Sequence, residues 1–349
     1  MTHARRQPAG VFRFKWRLRA SRLRVMVARA SPPPSHVLLL GGTGTIGRAT
    51  VDALIARGHE VTCACRPARP GGEARRGLPD AVRLCHAPPA AAIRDLRPDA
   101  VISCMASRTG TPADAWAVDH RAHADAFAAA SEAGVGHVVL LSAICVQKPR
   151  LAFQHAKLAA EAALVASGLR YSIVRPTAFF KSLSGQIDRL RAGKPFLLFG
   201  DGRLTACKPI SDADLAAYLA DCLTDPDRHD RILPIGGPGP AMTPREQGEE
   251  MFRLLGRAPR FRHVPVGLLD GIIGGLDLAG RLSPGLRAKA ELARIGRYYA
   301  TESMLLLDPE TGRYDADATP ETGQDTLSDF HARLISGEAT LERGDHAVF

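Results

Sequence analysis

Residues 36–47 read HVLLLGGTGTIG, a short apolar run followed by a glycine-rich turn and then by a helical pattern. The apolar run predicts a buried strand. Glycines in such a turn permit the tight bend, let the main chain approach a pyrophosphate, and let the next helix pack closely. The amides at the start of that helix then face the phosphates. The stretch therefore predicts a dinucleotide site made by Gly41, Thr43, Gly44, Thr45, Ile46 and Gly47.

The same alternation of apolar runs and helical patterns continues along the chain. Further strands are predicted near 61–65, 82–85, 100–105, 137–142 and 171–175. This series predicts an α/β protein with a Rossmann-like doubly wound parallel sheet. After Pro176 the pattern changes, which predicts a smaller C-terminal substrate lobe. We expect a cofactor-binding core at 35–176 and mainly the lobe at 177–349, with some elements of the lobe returning to the core.

The positive charge of the chain is concentrated at its N-terminus. The sequence carries 46 Lys and Arg residues against 36 Asp and Glu residues, a formal charge of +10. Nine of the basic residues and none of the acidic ones lie in residues 1–34. The remainder is close to neutral, so the charge does not indicate a nucleic-acid partner. Residues 1–34 are predicted to be a disordered basic tail.

Three interpretations of this tail stay open. The stretch VFRFKWRLRASRLRV (11–25) fits an organelle transit peptide, a basic segment at an anionic membrane surface, or sequence upstream of a true start at Met26. The expected compartment is the bacterial cytoplasm, with or without peripheral membrane contact. It is a plastid if the tail is a transit peptide.

The cysteines and the longest apolar stretch indicate core structure. The seven cysteines lie mostly in apolar runs such as VTCAC (61–65), with no CxxC pair, which predicts reduced core residues and no metal site. No run reaches the roughly 18 apolar residues of a membrane span. Two aspartates interrupt the apolar stretch 264–280, which predicts a partly buried amphipathic helix.

The end of the second strand indicates which nicotinamide cofactor binds. A site for NAD usually has Asp or Glu here, whose carboxylate binds the ribose hydroxyls. This chain has Arg66, 19 residues after Gly47. A guanidinium suits the 2′-phosphate of NADP through charge-assisted hydrogen bonds. We therefore expect NADPH as the cofactor, the alternative being that Arg66 is an ordinary surface arginine.

Several longer segments resemble the atypical short-chain dehydrogenases related to isoflavone reductase and NmrA. The segments are GGTGTIG (41–47), CRP (65–67), LSAICVQ (141–147), FQHAKLAAEAALVASGLRYSIVRPTAFF (153–180) and ISDADLA (210–216). The resemblance covers residues 36–335 and implies the Rossmann-like fold and a bound NADP.

Three narrower segments are most similar to one branch of that group. They are FQHAK (153–157), RPTAFFKS (175–182) and YYATESM (298–304). The branch reduces the 8-vinyl group of divinyl chlorophyllide or protochlorophyllide to ethyl in chlorophyll and bacteriochlorophyll synthesis. This resemblance implies an NADPH-dependent oxidoreductase with a tetrapyrrole substrate.

One helix departs from the pattern of the wider family. That family carries Tyr-x-x-x-Lys on one helix face, where the lysine holds the nicotinamide ribose and lowers the pKa of the tyrosine. Here the tyrosine position is Phe153, one turn from Lys157 on the same face. Lys157 is expected to keep the ribose role, whereas Phe153 has no proton to donate. The alternative for Lys157 is a surface pair with Glu161.

The loss of this tyrosine favours reduction of an alkene over reduction of a ketone. A conjugated vinyl group accepts hydride at its terminal carbon and spreads the charge over the macrocycle, so no alkoxide needs immediate protonation. The protein then mainly supplies position and a dry pocket. Ser142, at the end of the fifth strand, is the catalytic candidate beside Lys157. Other proton sources stay open, namely His155, Cys145, Tyr298 and Tyr299.

The substrate candidates follow the sixth strand. By the resemblance, Pro176 lies against the nicotinamide. Phe153, Phe179 and Phe180 are expected to form an apolar wall for a flat ring, and Lys181 to reach a propionate carboxylate. Adjacent aromatic residues at a helix start are often partly core, so we expect one of Phe179 and Phe180 to meet the substrate.

Two other functions stay open. The first is reduction of a different conjugated alkene. The second is an NADP-sensing regulator or assembly protein without turnover, which the missing tyrosine keeps open. Nucleotide-sugar epimerases normally keep the tyrosine that Phe153 replaces, which counts against that class. Consumption of NADPH with a pigment substrate separates turnover from sensing.

Overall fold

The strands alternate with helices through the first two thirds of the chain. The structure is a computed structural model that describes residues 36–65, 77–281 and 283–340. The predicted basic tail at 1–34 and Arg66 therefore lie outside the described residues. The strands are β1 (His36–Leu40), β2 (Glu60–Ala64), β3 (Arg83–Cys85), β4 (Ala100–Ser103), β5 (His137–Leu141), β6 (Tyr171–Pro176), β7 (Phe196–Phe199), β8 (Arg231–Ile235), β9 (Phe261–Val264), β10 (Leu306–Leu307) and β11 (Tyr314–Asp315).

The helices include several short segments besides the long ones. The α-helices are α1 (Thr45–Ala56), α2 (Pro89–Leu96), α3 (Pro112–Ala115), α4 (Ala122–Ala133), α5 (Ala152–Ala166), α6 (Phe180–Leu183), α7 (Ile187–Arg191), α8 (Asp212–Asp221), α9 (Pro244–Leu254), α10 (Val266–Gly280), α11 (Pro284–Thr301) and α12 (Leu327–Ser336). A π-helical segment, Trp116–Arg121, joins α3 to α4, and a 3₁₀ turn, Ile144–Gln147, precedes α5.

The main sheet has seven parallel strands in the order β3-β2-β1-β4-β5-β6-β8. The chain moves outward from β1 to β3 and then returns to β4 on the other side of β1. This reversal opens a crevice at the carboxyl ends of β1 and β4, which is where open α/β sheets bind their ligands. The predicted Rossmann-like doubly wound sheet is confirmed.

The two faces of the sheet carry separate cores. Successive side chains of β1 alternate between them, so Leu39 packs on one face and Leu38 on the other. The first face is covered by α1 and α8, through residues such as Leu54 and Leu219. The second is covered by α2, α4 and α5, through residues such as Leu164. Burial on both faces explains why β1 and β5 are almost continuously apolar.

The turn after β1 depends on two close approaches. Gly41 has a φ of +79°, which L-residues with a side chain rarely adopt. A Cβ on Gly47 would lie 2.2 Å from the carbonyl oxygen of Gly41, so α1 starts directly against the turn. The glycine roles predicted from the sequence thus have a steric basis in both places.

The part of the chain after β6 contributes to more than one layer. β8 pairs with β6 in the main sheet, and α8 packs on the same face as α1. β7 and β9 form a separate parallel pair. Its side chains pack with α7, α9 and α12 around Leu190 and Met251. The division into a cofactor core and a substrate lobe stays a prediction.

An apolar helix, α10, lies against α11 and remains largely exposed on its outer side. Leu268 and Leu278 are 54% and 65% exposed. Its two aspartates, Asp270 and Asp277, are paired with Arg297 and Arg294 of α11. The helix predicted for this stretch is therefore present and partly buried. None of the helices in the described ranges has the length and hydropathy needed to cross a bilayer.

Gly47→Ala is expected to destabilise the protein, because its methyl group collides with the main chain of the turn. The expected loss is at least about 2 kcal/mol in the free energy of unfolding, measured by urea denaturation. Gly274→Ala is the matched control, since Gly274 is also helical but has no atom within 4 Å of its Cβ position. It should stabilise α10 by up to about 1 kcal/mol. Equal stability of the two variants would contradict the steric argument.

Candidate cofactor and active site

The turn between β1 and α1 has the geometry of an anion site. The Gly44 amide donates to the Gly41 carbonyl at 3.1 Å, which closes the turn. Gly44 is also the N-cap of α1, and it offers no side chain to the amides of the first helical turn. No acidic residue stands in that turn. The positive end of the helix dipole is therefore available to phosphates, and the turn fits a dinucleotide.

The predicted turn residues divide into exposed and buried ones. Thr43, Gly44 and Thr45 lie at the surface of the turn, partly or fully exposed. Ile46 is 8% exposed and packs in the core under α1. Ile46 can therefore offer a cofactor its main-chain amide and not its side chain.

Lys181 lies at this same turn. Its Nζ donates to Thr45 Oγ1 at 3.1 Å, across 136 residues of sequence. Asp212, at the start of α8, stands nearby. Burial raises the pKa of Asp212, whereas the positive charges of Lys181 and Arg48 lower it. The start of α1 thus has the ammonium group of Lys181 beside its main-chain amides, with the carboxyl group of Asp212 nearby.

Lys157 is paired with a buried carboxylate. Its Nζ lies 3.3 Å from Oδ1 of Asp119, which is 1% exposed. The Ser107 amide also donates to Oδ1, at 3.2 Å. The second oxygen, Oδ2, is buried and has no hydrogen-bond partner among the described residues. Lys157 pairs with Asp119 and not with Glu161, so the alternative of a surface pair is wrong.

A buried histidine lies beside this pair. His123 Nε2 lies 2.8 Å from Ser103 Oγ, and Nδ1 lies 2.9 Å from the Val118 carbonyl. Burial first, and then the charge of Lys157, lower the pKa of His123 to about 4, although the charge of Asp119 acts to raise it. The histidine is therefore neutral at pH 7, and the Asp119 carboxylate provides the counter-charge for Lys157.

Ser142 belongs to a different network. Its hydroxyl donates to Oε1 of Glu161, and Glu161 is also paired with Arg175 at the end of β6. Ser142 is 6% exposed and Glu161 is 3% exposed. The Ser142 proton is thus committed to a buried, ion-paired carboxylate.

A second cluster connects α11 to the segment before α5. We call it the tyrosine cluster; it comprises Ala143, Cys145, Leu151, Phe153, Ile295, Tyr298 and Tyr299. The Tyr298 hydroxyl donates to the carbonyls of Cys145 and Lys148, at 2.9 and 3.1 Å. The Tyr299 hydroxyl lies 3.8 Å from Cys145 Sγ. Phe153 therefore packs in the same cluster as Tyr298 and Tyr299, whose phenol groups belong to α11.

The aromatic residues after β6 occupy unequal environments. Pro176 ends β6 and is buried. Phe180 is 3% exposed, and its ring lies 5.6 Å from that of Phe330. Phe179 is partly buried against the core. Phe179, unlike Phe180, is therefore partly exposed and can contact a ligand.

Two residues of this region were missed by the sequence analysis. Asp119 lies in the run AWAVD (115–119), where a carboxylate among apolar helical residues was the available signal. The structure adds that Asp119 lies in the π-helical segment Trp116–Arg121, a form that often occurs at functional sites. Gln154 is fully buried and donates to the Cys145 carbonyl at 3.2 Å. No local pattern distinguishes it from an exposed helical glutamine.

Comparison with known proteins agrees with the geometry of the turn. A family model described as NAD(P)H-binding matches residues 41–226. In fold, the chain is similar to the crystal structure of the NADPH-dependent quinone oxidoreductase of Escherichia coli, with 18% sequence identity and a TM-score of 0.62. It covers 86% of this chain and 99% of that enzyme. The binding of a nicotinamide cofactor predicted from the sequence is thereby supported.

Two plant proteins are similar over most of the chain. The divinyl chlorophyllide a 8-vinyl-reductase of Zea mays chloroplasts is 51% identical over 333 residues, which are 90% of this chain and 82% of that protein. The Arabidopsis thaliana protein of the same name is 46% identical over 336 residues, 90% of this chain and 80% of that protein. The chain therefore belongs to the NAD(P)H-binding family and, within it, to the divinyl chlorophyllide a 8-vinyl-reductases.

Proposed function

We propose that this protein uses NADPH to reduce the 8-vinyl group of a divinyl chlorophyllide to an ethyl group. The observation that carries the proposal is the 46–51% identity, over about 90% of the chain, to relatives with that named activity. The geometry of the turn at 41–47 and of the Lys157–Asp119 pair supports a cofactor site in this chain. A tetrapyrrole is the partner that this function requires.

The reaction adds one hydride and one proton across a carbon–carbon double bond. The bound nicotinamide supplies the hydride. The residues of the chain hold the cofactor and the macrocycle in the relative orientation that hydride transfer needs, and they exclude water from the reacting carbons. Since negative charge develops on the macrocycle and not on an oxygen, an acid at position 153 is not needed. This explains how a phenylalanine is compatible with catalysis there.

We assign the cofactor to a set of residues on both sides of the crevice. Turn residues 41–47 bind the pyrophosphate, and Pro176 lines the nicotinamide site. Lys157 binds the nicotinamide ribose, and Asp119 positions its ammonium group through the 3.3 Å contact. Breaking a buried ion pair by removing one partner costs about 3–5 kcal/mol, so Asp119 restricts Lys157 to this place. Arg66 is proposed to bind the 2′-phosphate.

Lys181 is better assigned to the cofactor than to the substrate. Its contact with Thr45 brings its charge to the start of α1, where phosphates are expected. A propionate carboxylate would have to compete with those phosphates for the same ammonium. Phe153 and Phe179 then remain as the apolar side chains proposed to contact the ring, while Phe180 is buried against Phe330.

The compartment follows from the pigment. The plant relatives are chloroplastic. For this chain we propose the compartment where chlorophyll precursors are made, which is the bacterial cytoplasm or a plastid. Peripheral membrane contact through the basic tail remains part of this proposal and belongs to residues outside the described ranges.

Purified protein mixed with NADPH and divinyl chlorophyllide should oxidise the cofactor and shift the Soret band to the blue. Chromatography should give the monovinyl product in amounts equal to the NADPH consumed. Binding of NADPH without consumption would contradict the proposal and favour the sensing or assembly alternative. Turnover of a different conjugated alkene, with none of the chlorophyllide, would favour the other reductase.

Arg66→Ala is expected to weaken NADPH binding by roughly 10- to 100-fold, the loss of a charge-assisted hydrogen bond to phosphate. NADH binding should not change, because NADH lacks the 2′-phosphate. Dissociation constants from nicotinamide fluorescence check this. Arg83→Ala is the control, since Arg83 lies on neighbouring β3 and is paired with Glu60. An equal effect of both substitutions, or equal affinity of the unmodified protein for both cofactors, would contradict the assignment.

Lys181→Met distinguishes the two roles considered for this lysine. A phosphate-binding Lys181 predicts weaker binding of NADPH and NADH alike, by about tenfold, with little change in the KM for chlorophyllide. A propionate-binding Lys181 predicts the reverse. Lys194→Met, an exposed lysine beyond α7, serves as the control. If Lys181→Met raised the KM for the pigment and left the cofactor affinity unchanged, Lys181 would be assigned to the substrate site.

A further inference from the structure

Reduction of a vinyl group needs a proton as well as a hydride, and Phe153 cannot supply it. Two of the candidate donors have well-defined acceptors elsewhere. The Ser142 hydroxyl donates to Glu161, and the Tyr298 hydroxyl donates to two main-chain carbonyls. A third, His155, is exposed and lies two residues from Phe153 and from Lys157, which places it on the other side of α5.

Tyr299 differs from these residues in its surroundings. It lies on α11, packs in the tyrosine cluster beside Phe153, and is partly exposed. Its hydroxyl meets the thiol of Cys145 at 3.8 Å. A thiol is a weak hydrogen-bond acceptor, so this contact holds the phenolic proton less firmly than the carbonyls hold that of Tyr298. The rings of the two tyrosines meet edge to face at 5.6 Å, which fixes their relative orientation.

The charge of Lys157 reaches this cluster. Burial raises the pKa of Cys145, and the hydrogen bond from Gln154, that with Tyr299 and the charge of Lys157 each lower it. Burial also raises the pKa of Tyr299 well above its ordinary value. Tyr299 therefore carries its proton at neutral pH, and the same burial disfavours the phenolate that forms when this proton is given up. The charge of Lys157 thus acts on Cys145, whose thiol meets the Tyr299 hydroxyl.

We propose that Tyr299 is the proton donor of the vinyl reduction, taking over from α11 the task that a tyrosine at position 153 would perform from α5. This rests on the proposed function. A bound nicotinamide would supply the hydride for a C–H bond at the terminal vinyl carbon, and the electron pair of the double bond would move onto the macrocycle. The Tyr299 O–H bond then breaks, and its proton forms the second C–H bond at the inner carbon. The phenolate regains a proton from water.

Tyr299→Phe tests this, with Tyr298→Phe as the matched control on the neighbouring residue. Tyr299→Phe should lower kcat roughly 100- to 10,000-fold, the usual contribution of general acid catalysis. The dissociation constant for NADPH and the KM for chlorophyllide should stay within about twofold, because the proton is used after binding. Tyr298→Phe should lower the melting temperature, since it removes two hydrogen bonds to carbonyls, and should retain kcat within about fivefold.

The proposal and the proposed function fail in different ways. If the unmodified protein makes no monovinyl product, the proposed function is wrong and the role of Tyr299 in it is wrong as well. If the unmodified protein is active and Tyr299→Phe keeps more than a third of kcat, the function stands and the proposal is overturned. Loss of kcat in Cys145→Ala but not in Tyr299→Phe would assign the proton to the thiol. Weakened NADPH binding by Tyr299→Phe would indicate a structural role and would also overturn the proposal.

Discussion

The site depends on the close contact between the start of α1 and the end of β1. Only a hydrogen at position 47 fits beside the Gly41 carbonyl, where a Cβ would lie 2.2 Å away. This contact aims the amides of α1 at the crevice between β1 and β4. Val51 and Leu54 then bury the same helix against the sheet, so the core and the phosphate site share one element. Stabilising the core therefore also fixes the turn that is proposed to bind the dinucleotide.

The lysine proposed to bind the ribose, Lys157, depends on a buried charge. Asp119 is held in a π-helical segment with one oxygen near Lys157 and the other without a hydrogen-bond partner among the described residues. Such a carboxylate is costly to bury without a counter-charge. Lys157 supplies the charge, while the neighbouring His123 stays neutral. The pair can therefore restrain the lysine more firmly than an exposed ion pair, which contributes about 0–1 kcal/mol.

The elements that local sequence patterns specify could be predicted from the sequence. The β1–turn–α1 unit, the alternation of strands and helices, and the departure at Phe153 follow from periodicity, glycine spacing and resemblance. The contact of Lys181 with Thr45 and that of Lys157 with Asp119 span 136 and 38 residues, and no local pattern encodes which partner a lysine meets. The pairing of β7 with β9 was missed for the same reason, since 61 residues separate their ends in sequence. Long-range packing, not propensity, decides these features.

The tyrosine cluster links the fold of the C-terminal part to the chemistry proposed for the site. α11 reaches Phe153 through Ile295, Tyr298 and Tyr299, which recur along one helix face. α11 also packs along α10, and the ion pairs of Arg294 and Arg297 with α10 are half-exposed and therefore weak. The buried aromatic contacts, together with the hydrogen bonds of Tyr298 to two carbonyls, attach α11 to the segment before α5. Because α11 is not part of the sheet or of α5, a proton donor on α11 can replace one on α5 without any change in the sheet.

A ketone reductase needs its proton donor at the alkoxide that forms during the reaction, beside the nicotinamide. A vinyl reductase protonates a carbon of a large, delocalised ring, and a donor on a separate helix can meet that carbon from another side.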